Sequence, residues 1–183
     1  MRTFASLMAS IVVSLGLGAP AAPAAAAGVI GAATNSTFAL HANTLTITVP
    51  ASSNLGNGSQ GNTLSATLGT ITVDDGRNGS MTWTTTVTST NFTTGGGSAG
   101  ETITKGNISY WSGPATGQSG GGSRFPGQLT AADKVPLSSP VTAFRGTKSP
   151  LATSTSWQPK LVISVPIAAV LGHYTGVITH TVT

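Results

Sequence analysis

The chain contains no cysteine. That excludes disulfides, thiolate metal sites and thiol nucleophiles, so an exported form has to stand on its hydrophobic core alone. Charge is nearly as scarce, with 8 Lys and Arg against 4 Asp and Glu and a formal net charge of +4. The bases at Arg77, Lys105, Arg124, Lys134, Arg145, Lys148 and Lys160 stand singly. Without a basic run or a basic helix, nucleic acid is a poor partner. A mildly positive surface suits anionic wall polymers as well as plain solubility. Long apolar runs are missing beyond the N-terminus. Residues 165–171 are too few to cross a bilayer and contain Pro166, so no membrane span is expected after the leader.

The leader has three regions. Arg2 is a minimal basic start, residues 7–17 are apolar, and residues 21–27 offer several small-residue cleavage sites. This is the form of a secretory signal peptide, 1–27, with cleavage after one of Ala24, Ala25, Ala26 or Ala27. The protein is therefore expected to be secreted or held at the cell surface. Residues 28–183 have the length of one domain. A chain of that size buries about 68–70% of its unfolded surface without external staples.

What the chain has in quantity is threonine and serine, 30 and 21 residues. Thr is β-branched and suits a pleated, half-exposed surface. Helical periodicity is almost absent. Short alternating runs bounded by Gly, Asn and Pro recur instead, which predicts an all-β chain folded as an antiparallel β-sandwich with hairpin and Greek-key connections. The first strand is expected over 44–49. Residues 63–73 read as the second, bent or bulged at Gly69. Asp75-Gly76 and Asn78-Gly79 read as hairpin turns. The clearest strand is 81–89, with Met81, Trp83, Thr85 and Val87 on one face and Thr82, Thr84, Thr86 and Thr88 on the other. A flexible loop is expected over 95–100, and a strand over 103–111 with a turn at 105–107. Residues 113–127 read as a long Gly-rich loop. One or two strands broken by Pro136 and Pro140 fall in 129–145. Trp157 stands at a strand start, 161–165 is a strand, 168–171 a single helical turn and 174–182 the last strand.

Catalytic patterns do not emerge. His41, His173 and His180 show no zinc-ligand spacing. Paired carboxylates for glycoside hydrolysis would have to come from Asp74, Asp75, Glu101 and Asp133. Asp74 and Asp75 are adjacent, so on a strand they point to opposite faces. Asp at such a position opens a turn by bonding its own backbone. No enzyme activity, cofactor or metal is expected. Trp83 lies on an apolar strand face and reads as core. Tyr110 and Trp111 are neighbours on one strand, so one of them faces outward when the other faces the core. The exposed one can stack on a sugar ring.

Several of these pieces resemble the signature regions of WxL-type domains, non-catalytic modules that attach to bacterial cell walls. Val73-Asp74-Asp75-Gly76-Arg77-Asn78-Gly79 is similar to the family's Asp-containing turn, Trp83-Thr84-Thr85 to its first Trp-x-Leu motif, and Thr90-Asn91-Phe92 to the stretch that follows. Val165-Pro166, Gly172-His173-Tyr174 and Thr179-His180-Thr181-Val182 are similar to its second region. Thr85 stands where the family has Leu, and His180 and Val182 where it has Trp and Leu. The resemblance spans residues 38–183. It implies non-covalent binding to peptidoglycan or an attached polymer, with Trp83, Thr85, His180 and Val182 at the motif positions. The alternative is a β-strand-mediated assembly or adhesion subunit, whose partner is another surface protein.

Overall fold

The computed structural model describes residues 43–183; the expected signal peptide, 1–27, and the expected start of the domain, 28–42, lie outside the described residues. The strands are β1 (Leu45–Thr48), β2 (Thr63–Thr67), β3 (Ile71–Asp75), β4 (Met81–Ser89), β5 (Phe92–Thr93), β6 (Thr102–Ile103) and β7 (Ile108–Trp111). They continue with β8 (Ala115–Ser119), β9 (Arg124–Pro126), β10 (Val135–Pro136), β11 (Val141–Lys148), β12 (Thr153–Trp157), β13 (Lys160–Ser164) and β14 (Ile178–Val182). Among the described residues, helix is limited to three single 3-10 turns, Ala99–Glu101, Lys105–Asn107 and Ala131–Asp133. Every ladder is antiparallel, so the chain is an all-β sandwich.

One layer is the sheet β14-β4-β11-β9. The opposing layer comprises two sheets, β1-β3-β12-β8 and β10-β7-β13-β2. Besides the long 49–62 loop from β1 to β2, three short chain passages run from one of these into the other: β2 into β3, β7 into β8, and β12 into β13. They are therefore two halves of one folded sheet. Each passage breaks at a residue that cannot continue a ladder. Gly69 has φ +94° and Gly113 φ +69°, conformations that favour glycine. Pro159 has no amide hydrogen to donate. The crease is held by the Leu68 N–H donating to the Pro159 carbonyl at 3.0 Å.

The crease divides the core into two lobes. Lobe 1 contains Val87, Phe92, Ile103, Ile108, Tyr110, Leu137, Ala143, Leu161 and Ile163. Lobe 2 contains Ile71, Val73, Trp83, Phe144 and Trp157. A bulge in β11 serves both. The register jumps from Thr142↔Thr86 to Phe144↔Thr85, so Ala143 and Phe144 both turn inward. Ala143 enters lobe 1 and Phe144 enters lobe 2, and both are fully buried. In lobe 2 the Phe144 ring lies 4.9 Å from Trp157 and 6.2 Å from Trp83, centroid to centroid.

The 81–89 strand matches β4 to the residue, although Met81 at its start is 43% exposed. Other expectations need correction. Residues 63–73 form two strands in different sheets, with Gly69 as the joint. The turn at 76–80 joins β3 to β4 in the opposite layer, so it is not a hairpin; among the described residues only β5 and β6 pair as sequence neighbours. The presumed loop 113–127 contains β8 and β9, which pair with β12 and β11. Both are edge strands rich in Gly, Gln, Ser and Arg, and backbone ladders form them without an apolar face. For the same reason β12, reading Thr-Ser-Thr-Ser-Trp, appears where no strand was expected, and Trp157 ends it rather than starting one. Residues 95–100 are ordered by a capping box in which Glu101 accepts from Ser98. β11 runs on to Lys148. Residues 167–168 make a simple turn, and the last strand begins at Ile178 after an isolated bridge at Thr175.

Thr85 sits between the lobes, fully buried, with no partner for its hydroxyl. An unpaired buried hydroxyl keeps its desolvation cost, about 1–3 kcal/mol. Thr85→Val removes the group at nearly constant shape. The variant should be about 1 kcal/mol more stable and melt a few degrees higher by calorimetry. A lower melting temperature would show that the hydroxyl has a partner.

Candidate functional site

The six candidate residues fall in four environments. Trp83, Thr85 and Tyr110 are buried in the core, at 2% exposure or less. Val182 is partly buried against lobe 2. Trp111 is half-buried on the outer face of β7, with the Lys160 ammonium 5.5 Å from its ring centroid. His180, on β14, lines a groove.

Tyr110, His180 and Trp157 form one polar chain through the crease. The Trp157 indole N–H donates to the Tyr110 hydroxyl oxygen at 3.4 Å. Indole nitrogen only donates, so the Tyr110 hydrogen is free for His180 Nε2, 3.3 Å away. That arrangement makes Nε2 the acceptor and places the imidazole proton on Nδ1. Burial pushes the Tyr110 hydroxyl well above its usual pKa. Burial also lowers the His180 pKa to about 4, so the ring is neutral near pH 7. In the unfolded chain the imidazole titrates near 6.5. Between those values only the unfolded form takes the proton. Stability is therefore complete above pH 6.5 and falls as pH drops toward 4, by roughly 3 kcal/mol at most. Urea denaturation of wild type should weaken between pH 7 and pH 4.5, and His180→Gln should remove most of that slope. An equal slope in the variant would assign it to other groups.

The groove has a volume of about 620 Å³. One wall is the 49–60 loop and the other the 169–178 segment, with Leu64, Leu68, Phe92, Ile103 and Ile163 at its base. It opens where three strands, β1, β2 and β14, each end their sheets. The walls are held in place. Gln60 donates its amide to the Ala169 carbonyl, and the Gly61 N–H donates to Val165 at 3.0 Å. The Tyr174 hydroxyl lies 2.9 Å from the Val170 carbonyl and 3.0 Å from that of Gly100. Gly176 packs so tightly on Phe92 that a Cβ would lie 1.9 Å from its ring. Among the described residues, no Asp, Glu, Lys or Arg lines the groove. Its rim exposes Val49, Val170, Leu171 and Val177, with Leu171 at 90% and Val177 at 60%.

Three of the four acids have other engagements. Glu101 and Asp133 each close a capping box, on Ser98 and Thr130. Asp74 and Asp75 point to opposite faces of β3, exposed and buried respectively. Asp75 accepts from the Arg77 side chain at 2.9 and 3.0 Å and from the Arg77 backbone N–H at 3.1 Å, the own-backbone bond expected of a turn-opening Asp. Among the described residues, no cluster of three or more His or acidic side chains could hold a metal. No described helix is long and apolar enough to cross a membrane.

The 620 Å³ groove was not legible beforehand. Among the six candidate site residues only His180 lines it, although Phe92, Val165, Gly172, His173 and Tyr174 from the resembling stretches line it too; the loops that wall it carry no periodic signal. Comparison with family models, curated proteins and solved structures returns no match.

Proposed function

We propose that the chain is an exported, non-catalytic component of the bacterial surface, held there non-covalently through the groove beside β14. The groove's uncharged lining, mixed polar loops over an apolar base, carries this reading. An extended peptide offers alternate apolar side chains to the groove and backbone bonds to the β14 edge. The favoured form is therefore β-strand-mediated assembly with another wall-associated protein. The leader pattern and the WxL-type resemblance support export and wall association, and the engagement of Asp75, Glu101 and Asp133 in an ion pair and caps supports a non-catalytic role.

A second reading, direct contact with a wall polymer, rests on Trp111. Its half-buried ring with Lys160 beside it is a small mixed aromatic and cationic face. Sedimentation with purified walls tests both. The protein should co-sediment, with or without a chelator, and should release no soluble wall fragments. Walls stripped of protein should lose the association if the partner is a strand and keep it if the partner is the polymer. Chelator-sensitive binding or released fragments would contradict the proposal.

A further inference from the structure

We infer that the outer face of the β14-β4-β11 layer binds ice, through a two-dimensional array of threonines. The inference stands apart from the groove and from the wall-association reading.

The array follows from the alternation of the strands. Trp83, Thr85 and Val87 of β4 point into the core, so Thr82, Thr84, Thr86 and Thr88 point out. On β14, Ile178, His180 and Val182 face inward, and Thr179 and Thr181 outward. Thr183 extends that row, exchanging backbone bonds with Thr84 at 2.9 and 3.0 Å. The β11 bulge turns Ala143 and Phe144 inward together and so keeps Thr142, Arg145 and Thr147 on the outer face. Cross-strand register aligns the side chains. Thr179 stands opposite Thr88, Thr181 and Thr142 stand on either side of Thr86, and Thr147 stands opposite Thr82. Neighbouring strands lie about 4.7–4.9 Å apart, and alternate residues along a strand about 6.4–6.8 Å.

Solubility does not require this pattern. The chain has 21 Ser, yet none stands on this face of β14, β4 or β11. Arg145 is the one outward side chain on these strands that is not Thr. The outer faces of the opposing layer instead mix Ser and Thr with Asp74, Trp111, Lys160 and Val162. Thr carries a methyl that Ser lacks and a hydroxyl that Val lacks, so its exclusive use suits a ligand that needs both. Branching at Cβ restricts χ1, and a stiff array loses little freedom on binding. The hydroxyls are also unspent. Among the described residues of the array, only Thr147 has its hydroxyl in a hydrogen bond, accepting from the Ser123 N–H at 2.8 Å.

These properties suit ice better than other repeating surfaces. Ice offers uncharged donors and acceptors in rows whose spacings are close to both repeats of the sheet. The methyls restrict the orientation of adjacent water, and the hydroxyls anchor it. The hydration layer of the face is therefore ordered along the same rows. A mineral lattice of ions would call for charged side chains, and no Asp or Glu stands on this face. A crystalline glycan would call for aromatic rings beneath its sugars. The ring on this side is Phe125, at the β9 margin and paired with Arg145.

The test is partition into ice. The full chain, purified from the exporting host, is held against a slowly advancing ice front beside a protein that ice excludes. Wild type should be enriched in the solid and should slow recrystallisation. Thr181→Lys places a charge at an exposed position of the array and should abolish the enrichment at an unchanged melting temperature. Thr86→Tyr, at the centre, should do the same. Ser65→Lys, exposed on β2 in the other layer, should keep the enrichment. Arg145→Thr completes the array and should be enriched more strongly than wild type. Exclusion of wild type from ice, or equal losses from Thr181→Lys and Ser65→Lys, would overturn the inference. Binding to particulate chitin or cellulose without entry into ice would overturn the choice of ligand. Sedimentation of Thr181→Lys with purified walls should match wild type; its loss would make the face a wall contact and overturn the inference, while leaving the surface reading in place.

Discussion

Trp83→Ala is expected to lower the stability of the domain by about 3–5 kcal/mol, a large part of the 5–15 kcal/mol typical of a domain. Trp83 is 2% exposed. Its indole stacks on Phe144 and lies over Gly146, its cross-strand partner on β11. A Cβ at Gly146 would stand 2.3 Å from the indole ring, so glycine is what lets the ring lie flat there. Removing the indole leaves a cavity that Phe144 and Trp157 cannot fill without abandoning their own stacking. The variant should melt far below wild type, and wall association should be lost only in step with folding. Gly146→Ala should be damaging in wild type and nearly harmless beside Trp83→Ala, a coupling a double-mutant cycle reads directly. An unshifted melting curve would mean that Trp83 is a contact residue and not part of the core.

The second large effect is expected at the other end of lobe 2. Asp75 is 1% exposed and forms a two-point ion pair with Arg77. Lys148, itself 3% exposed, donates to the Arg77 carbonyl. Desolvation alone would raise the Asp75 pKa, but hydrogen bonds and charge from Arg77, with the charge of Lys148, hold it below 3.8. Asp75→Ala would leave the two cations without their counter-charge. Breaking a buried pair in this way costs about 3–5 kcal/mol, and the 24% exposure of the Arg77 side chain places the loss toward the lower figure. The depressed pKa means that the carboxylate's contribution is full above 3.8 and fades as pH falls below it. Denaturation at pH 7 should therefore separate wild type from variant widely, and at pH 2.5 much less. A pH-independent gap would assign the loss to packing instead of charge.

Legibility in the sequence followed where the apolar signal was strong. β4 alternates Trp, Thr and Val against Thr, and its limits could be read to the residue. β1 likewise carries Leu and Ile at every second position, and β13 the apolar run Leu161-Val162-Ile163. β8, β9 and β12 escaped notice because a ladder needs only backbone partners, and Gly117, Gln118, Ser154 and Ser156 announce nothing about which strands lie beside them. The crease was half visible. Gly69 read as a bend, but only the pairing of β2 with β13 and of β3 with β12 shows that the bend changes sheets. The same limit applies to the groove: Leu64, Phe92, Ile103 and Ile163 read as ordinary core residues, and that a groove opens over them depends on three strand ends meeting in space.

The most direct measurement uses the one thiol that a Leu171→Cys variant would contain. Leu171 is 90% exposed on the groove rim, so a bulky maleimide can be attached without disturbing lobe 1. The labelled protein should keep its melting temperature and lose sedimentation with purified walls, while Leu151→Cys carrying the same label binds as wild type does. Undiminished sedimentation of the groove-labelled protein would contradict the assignment of the binding site to the groove.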